Sequence, residues 1–114
     1  MAINFQTSNP HTLLATFKKA IDDNKVVTWS YDKDGDFTHT PEQWKLKAWM
    51  RPVIYQGQLT MNFLGNSNTK NMREVYGVYH GRFIESMLVH CDKLFDNAIA
   101  TALATNADSV ATAA

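Results

Sequence analysis

The stretch that decides the predicted fold is residues 74–105, EVYGVYHGRFIESMLVHCDKLFDNAIATALAT. Its early part, residues 75–80, is rich in β-branched and aromatic residues and predicts a strand. Gly81 then predicts a tight turn. Apolar residues recur at helical spacing across residues 82–104, so we expect one long amphipathic helix there.

The apolar side of this predicted helix is wide. Its members are Ile84, Met87, Leu88, Cys91, Leu94, Phe95, Ala98, Ile99 and Ala102. At about 100° per residue they cover roughly 160°, which is broader than the stripe that contacts a single partner helix. Burial of each large side chain contributes roughly 1.5–3 kcal/mol, so this helix is expected to dominate the core and to lie across a sheet.

The preceding residues predict one helix and three more strands. Asn9 is a good N-cap and Pro10 a good first helical residue, which predicts a helix over residues 10–23. The strands are predicted at residues 25–31, 45–55 and 59–63. Residues 1–8 are expected to form a loose arm or a docking staple.

The element order α-β-β-β-β-α predicts an α+β fold, a four-stranded antiparallel meander with the N-terminal helix and the long C-terminal helix on one face. We expect one domain over residues 1–105 and a flexible polar tail over 106–114. Two helices on one side leave the other sheet face uncovered, and the strands place many large side chains on one face or the other: Trp29, Tyr31, Trp49, Val53, Tyr55, and Tyr76 or Tyr79. Because large apolar patches are uncommon on monomers, the sequence predicts a homodimer through that face.

Composition excludes several classes of protein. Eleven basic and eleven acidic residues give a formal net charge of zero, which disfavours a protein that binds nucleic acid or anionic lipid mainly by charge. The sequence lacks an apolar run of membrane-spanning length and the features of a signal peptide, and one cysteine excludes an internal disulfide. We therefore expect a cytoplasmic protein of bacterial or phage-like source without a membrane partner.

The most distinctive local feature is His80-Gly81-Arg82, at the predicted junction of the last strand and the long helix. Free backbone N–H groups and the helix dipole favour an anion at such a junction. Arg82 can bind a carboxylate or phosphate, and His80 can titrate near neutral pH. The sequence therefore offers a small anionic ligand site at His80, Arg82 and Glu85; the alternative is a turn in which Glu85 pairs with Arg82.

Basic residues and an aromatic residue alternate along the second predicted strand: Lys45, Lys47, Trp49 and Arg51. Such a strand face can contact single-stranded nucleic acid. Alternating charge on the solvent side of a strand also protects a sheet edge, and the net charge of zero disfavours nucleic acid.

No motif points to a metal, a cofactor or a reaction. The acidic turn at residues 32–36 resembles the start of a calcium loop, but Phe37 and Gln43 occupy the positions that need glycine and glutamate. The four histidines lack the spacing of a zinc site, and Cys91 is expected to be a buried small hydrophobe rather than a nucleophile. We expect no cofactor and no catalytic residue.

The sequence therefore favours a non-enzymatic binding or regulatory domain that forms a homodimer through the open sheet face. An alternative from another class is a small enzyme or small-molecule carrier that binds an anionic ligand near Arg82. A weak nucleic-acid contact module is a further alternative.

Overall fold

A computed structural model describes residues 2–103, so the predicted tail at residues 106–114 lies outside it. Its elements are β1 (Ala2–Gln6), α1 (Pro10–Asp22), β2 (Trp29–Tyr31), β3 (Phe37–His39), β4 (Ala48–Tyr55), β5 (Gln58–Gly65), α2 (Met72–Cys91), a 3-10 turn (Asp92–Leu94) and β6 (Asn97–Ala100). The strands form one antiparallel sheet in the order β2-β3-β4-β5-β1-β6. The α+β class is confirmed, but this sheet has six strands rather than four and the element order differs from the prediction.

Helix α2 begins ten residues before the predicted start at Arg82, so the strand predicted at residues 75–80 and the turn predicted at Gly81 are both wrong. The buried side chains of α2 recur at helical spacing: Val75, Tyr76, Tyr79, His80, Phe83, Ser86, Met87 and Cys91. This pattern begins within residues 75–80, where it overrides the β-propensity of valine and tyrosine. Gly77 and Gly81 lie on the exposed side of the helix.

The predicted rod over residues 82–104 is also wrong at its C-terminal end, because α2 ends at Cys91. After the 3-10 turn, β6 pairs antiparallel with β1, with Ala98 opposite Phe5 and Ala100 opposite Ile3. The ring of Phe95 packs edge-on against Phe5 at 5.2 Å between centroids. Ala98 and Ala100 would suit a helix, but pairing with β1 decides the conformation of this segment.

The N-terminal residues are not a loose arm. Strand β1 lies between β5 and β6 and pairs with both, and Ile3 and Phe5 are completely buried. The N-terminus therefore contributes an interior strand of the sheet.

Helix α1 follows the local signals in the sequence. The Asn9 side chain accepts a hydrogen bond from the Thr12 N–H at 3.1 Å, and Pro10 is the first helical residue. At the other end Asn24 has φ 60°, and its N–H donates to the Ile21 carbonyl, an arrangement typical of a left-handed C-terminal cap.

The strand predicted at residues 25–31 is reduced to the three residues of β2. The N–H groups of Lys25 and Val26 both donate to the Ala20 carbonyl at the end of α1. These two N–H groups cap the C-terminus of α1 and are therefore not available for pairing in a sheet.

The β4–β5 hairpin confirms the alternation in the sequence. Gln56 and Gly57 form the turn, and Gly57 adopts φ 76°. Ala48 and Met50 of β4 face the same core as Leu59, Met61 and Phe63 of β5. Both helices pack onto this face through one hydrophobic core. None of the helices within residues 2–103 combines the length and apolar character needed to cross a membrane.

The continuity of α2 predicts that Gly81→Ala raises the free energy of unfolding by about 0.5–1 kcal/mol, because alanine favours a helix more than glycine does. A Cβ at Gly81 would meet open space. Urea denaturation followed by circular dichroism measures the change.

Gly57→Ala is the matched control, since a Cβ there also meets open space but φ is 76°. It should lower the free energy of unfolding by about 1 kcal/mol. A similar loss of stability at Gly81 would contradict a continuous α2.

Candidate functional site

One face of the sheet carries both helices, and within residues 2–103 no helix covers the other, which we name the open sheet face. Its residues alternate with the core residues of the same strands. They are Ala2, Asn4 and Gln6 of β1; Trp49, Arg51, Val53 and Tyr55 of β4; Gln58, Thr60, Asn62 and Leu64 of β5; and Asn97 and Ile99 of β6.

The centre of the open sheet face is an ordered polar network. The Thr60 hydroxyl donates to Asn4 Oδ1 at 2.8 Å, and Gln58 Nε2 lies 3.0 Å from the same oxygen. Gln6 Nε2 donates to Gln58 Oε1 at 2.8 Å. Thr60 and Asn62 are only 6% and 5% exposed, although no described helix lies over them. These hydrogen bonds fix the central side chains before any partner arrives.

Apolar side chains lie on both sides of this polar centre. Tyr55 is 53% exposed on β4 and Ile99 is 55% exposed on β6, while Trp49 and Val53 are partly exposed. The charge of Arg51 is neutralised by Asp36, to which its Nε and Nη2 donate at 2.9 and 2.8 Å. The open sheet face is therefore electrically neutral.

Part of the predicted aromatic surface lies on this face. Trp49, Val53 and Tyr55 lie there, as the alternation in β4 predicts. The other side chains named from the sequence belong to the core or pack against it: Trp29, Tyr31, Tyr76 and Tyr79. The prediction failed for Tyr76 and Tyr79 because it placed them on a strand, whereas α2 turns both towards the sheet.

The four residues predicted to contact nucleic acid do not share one strand face. Trp49 and Arg51 lie on the open sheet face, but Lys45 and Lys47 precede β4 in a turn. Lys47 lines a separate cavity of about 320 Å³ at the N-terminus of α2, together with Lys70. The structure therefore divides the predicted basic surface in two.

The predicted ligand residues are also separated. His80 is buried, its ring stacked on Tyr76 at 4.7 Å, and its Nδ1–H donates to the Tyr76 carbonyl at 2.6 Å. Arg82 and Glu85 lie on the exposed side of α2, 3.5 Å apart. All three are within the helix, so the predicted strand–helix junction with its free N–H groups does not exist.

Arg82 and Glu85 instead meet a histidine that the sequence did not single out, His39. They line a cavity of about 190 Å³, which we name the His39 cavity. Its lining residues are Thr28, His39, Pro41, Gln43, Trp44, Arg82 and Glu85. The nearby loop at residues 40–47 supplies Pro41, Gln43 and Trp44. No spacing pattern marks His39, since it reaches this position through the pairing of β3 with β2.

His39 is held in one orientation. Its Nδ1–H donates to the Thr28 carbonyl at 2.7 Å, and its ring packs on Trp29 at 4.6 Å between centroids. Burial lowers the pKa of His39, and the charge of Arg82 lowers it further, while the bond to Thr28 and the charge of Glu85 raise it. The ring is therefore neutral at pH 7, with Nε2 as its hydrogen-bond acceptor.

The other candidate chemistry is engaged within the protein. The Asp32 carboxylate accepts hydrogen bonds from the N–H groups of Asp34 and Asp36, so the acidic segment is a self-capped turn. Within residues 2–103 no three His, Cys, Asp or Glu side chains are grouped closely enough to hold a metal ion. Cys91 is buried, and burial with the nearby Asp92 raises its pKa from 9.0 to about 11.

Comparison of the chain with protein-family models, with curated proteins and with solved structures finds no match.

The neutral state of His39 predicts a pH-dependent stability. Because its native pKa lies below the ordinary value of 6.5, the unfolded chain binds a proton more readily than the native protein does. Neutral His39 therefore contributes to the free energy of unfolding above about pH 6.5, and this contribution is lost as the pH falls towards the native pKa. Urea denaturation at about pH 7.5 and about pH 5 should show this loss, and His39→Gln should reduce it.

His11→Gln is the control, because His11 is exposed on α1. In His11→Gln the free energy of unfolding should fall between the higher and the lower pH by the same amount as in the wild type. An equal loss in wild type and His39→Gln would contradict this role of His39.

Cys91 should react slowly with a thiol reagent in the native protein. At about pH 8, a pKa of about 11 instead of 9.0 lowers the thiolate fraction about 100-fold, and burial slows access further. A thiolate of higher pKa is also a better nucleophile, which offsets part of this decrease, so Ellman's reagent should modify Cys91 at least about tenfold more slowly in buffer than in denaturing urea. Equal rates would show that Cys91 is an accessible thiol.

Proposed function

We propose that this protein is a non-enzymatic binding or regulatory domain that acts as a homodimer, with the open sheet face as its interface. The observation that supports the proposal is the open sheet face itself, with an ordered polar centre between exposed apolar side chains. The exposed apolar side chains on this face favour contact with another protein. A cytoplasmic location stays a prediction, supported by the single buried cysteine.

The size of the face sets the strength expected of an interface with a second copy. Strands β4 and β5 have eight residues each, which gives a length of about 26 Å at about 3.3 Å per residue. Four strands at a spacing of about 4.8 Å add a width of about 19 Å. Because β1 and β6 have only five and four residues, the mean strand length is about 21 Å, and two copies would bury about 800 Å² in total. This area is below the roughly 1,200–2,000 Å² of stable interfaces and predicts a weak dimer.

The chemistry of the face supports a second copy. A two-fold axis brings equivalent patches together, so repulsion between equal charges is the main obstacle to self-association. The Arg51–Asp36 ion pair removes that obstacle. The side-chain amides of Asn4 and Gln6 carry both donors and acceptors, so they can form hydrogen bonds with amides of a second copy.

A nucleic acid is a weaker candidate for this face. Contacts to phosphate need available cations, and the one cation of the open sheet face is already bound to Asp36. Lys45 and Lys47 lie outside the face. These two observations favour an uncharged partner surface, which a second copy provides.

A small enzyme or small-molecule carrier is the second candidate function. One observation favours it: Arg82 and Glu85 line the His39 cavity with a neutral imidazole and Trp44. This site is separate from the open sheet face, so the two functions are compatible.

The homodimer is tested by measuring mass in solution. Sedimentation equilibrium of the full chain at high micromolar concentration should give a mass that approaches twice the 12.9 kDa of one chain. Val53→Glu places a charge beside Thr60 in the middle of the face. It should weaken association at least tenfold, because the interface would bury an unpaired carboxylate.

Val89→Glu is the matched control, since Val89 is exposed on α2, outside the open sheet face. It should leave the dimer unchanged, and circular dichroism should show that both variants are folded. A monomeric wild type, or a dimer weakened by Val89→Glu and not by Val53→Glu, would contradict the proposed interface.

A further inference from the structure

The His39 cavity combines groups of opposite chemistry at one small opening. Arg82 supplies a cation and Glu85 an anion, and the cavity also contains the neutral imidazole of His39. A site for a simple anion would not place a carboxylate beside the arginine, and a site for a simple amine would not place a guanidinium beside the glutamate. Both groups are matched by a ligand that carries a positive and a negative charge.

The acceptor side of the cavity consists of Glu85 and His39. Because the Nδ1–H of His39 is used by the Thr28 carbonyl, the neutral ring has a lone pair at Nε2 to offer a ligand. A carboxylate and an imidazole nitrogen together suit a primary ammonium group, which has three N–H donors.

The donor side of the cavity is Arg82. Its contact with Glu85 is a single Nη1–Oε1 approach of 3.5 Å, and both side chains are more than half exposed. Exposed ion pairs of this kind contribute little to stability, so Arg82 can turn to a ligand carboxylate with little loss. A guanidinium can bind a carboxylate through two parallel hydrogen bonds. The Arg82–Glu85 pair lacks this geometry, so a ligand carboxylate could form it with Arg82.

The remaining walls set the size and character of the ligand. The volume of about 190 Å³ equals about six water molecules at about 30 Å³ each, which suits a ligand of roughly six to nine heavy atoms. Pro41 and Trp44 supply apolar surface. The body of the ligand should therefore be small and aliphatic.

We propose that the His39 cavity binds a small zwitterion of the aliphatic α-amino acid class. Its carboxylate binds Arg82, its ammonium group lies between Glu85 and Nε2 of His39, and its aliphatic side chain contacts Trp44 and Pro41. This site does not depend on the homodimer, because none of its lining residues belongs to the open sheet face.

Three probes of similar shape test which charged group of the ligand is needed for binding. L-valine carries both charged groups, 3-methylbutanoate lacks the amine, and 2-methylpropylamine lacks the carboxylate. Each is titrated to about 10 mM into the ¹⁵N-labelled full chain and followed by ¹H–¹⁵N correlation spectra. L-valine should give saturable shifts at residues of the His39 cavity, with at least about tenfold weaker binding of the two analogues.

Variants then assign the two ends of the ligand. Arg82→Gln and Glu85→Gln should each weaken L-valine binding about tenfold or more, since each removes a charge-assisted hydrogen bond. Arg73→Gln is the matched control, because Arg73 is exposed on the same helix and does not line the cavity. It should leave the affinity unchanged.

Three results would overturn the proposal. One is the absence of saturable shifts with L-valine at about 10 mM. Another is binding of 3-methylbutanoate or 2-methylpropylamine as tight as that of L-valine, which would make the cavity a site for a single charge. The third is an equal effect of Arg73→Gln and Arg82→Gln, which would place the ligand elsewhere on α2.

Discussion

The ring of Phe83 is the contact on which the arrangement of the elements depends. It packs against rings from four other elements, with centroids 5.0–6.1 Å away: Phe5 of β1, Phe17 of α1, Trp29 of β2 and Phe37 of β3. Because this ring must face the sheet, the rotation of α2 about its axis is fixed. Tyr79 and His80 then point into the core, while Arg82 and Glu85 remain outside. The aromatic core therefore determines which side chains are available for binding.

The parts of the fold that the sequence predicted correctly are those that depend on neighbouring residues. Asn9, Pro10 and Asn24 act within a few residues of α1, and Gly57 acts within one hairpin. Strands β1 and β6 are different, because each is stabilised by a partner more than 90 residues away in the chain. The Ala2 N–H donates to the hydroxyl of Thr101, for example. Neither strand has a local signal strong enough to reveal this pairing.

The same division holds for the candidate sites. The contact of Arg82 with Glu85 follows from their spacing on a helix, and the alternation in β4 places Trp49, Val53 and Tyr55 on the open sheet face. Other members depend on strand register: His39 joins Arg82 only through β2 and β3, and the bond from Thr60 to Asn4 requires β1 inside the sheet. The sequence therefore predicted the members of each site that lie on one helix or strand. It could not predict the members that strand pairing brings to the site.

The His39 cavity owes its shape to the core beneath it. The Tyr79 hydroxyl donates to the Trp44 carbonyl at 2.5 Å and lies 3.0 Å from the Thr38 hydroxyl, which donates to the Ala48 carbonyl of β4. Burial raises the pKa of Tyr79, so this donor stays protonated. The loop that carries Trp44 is thereby fixed to the sheet, and the ring of His39 is fixed by Thr28. The side chains that must become ordered when a ligand binds include Arg82 and Glu85, at about 0.5–1.5 kcal/mol each. That small ordering cost favours the ligand proposed for this cavity.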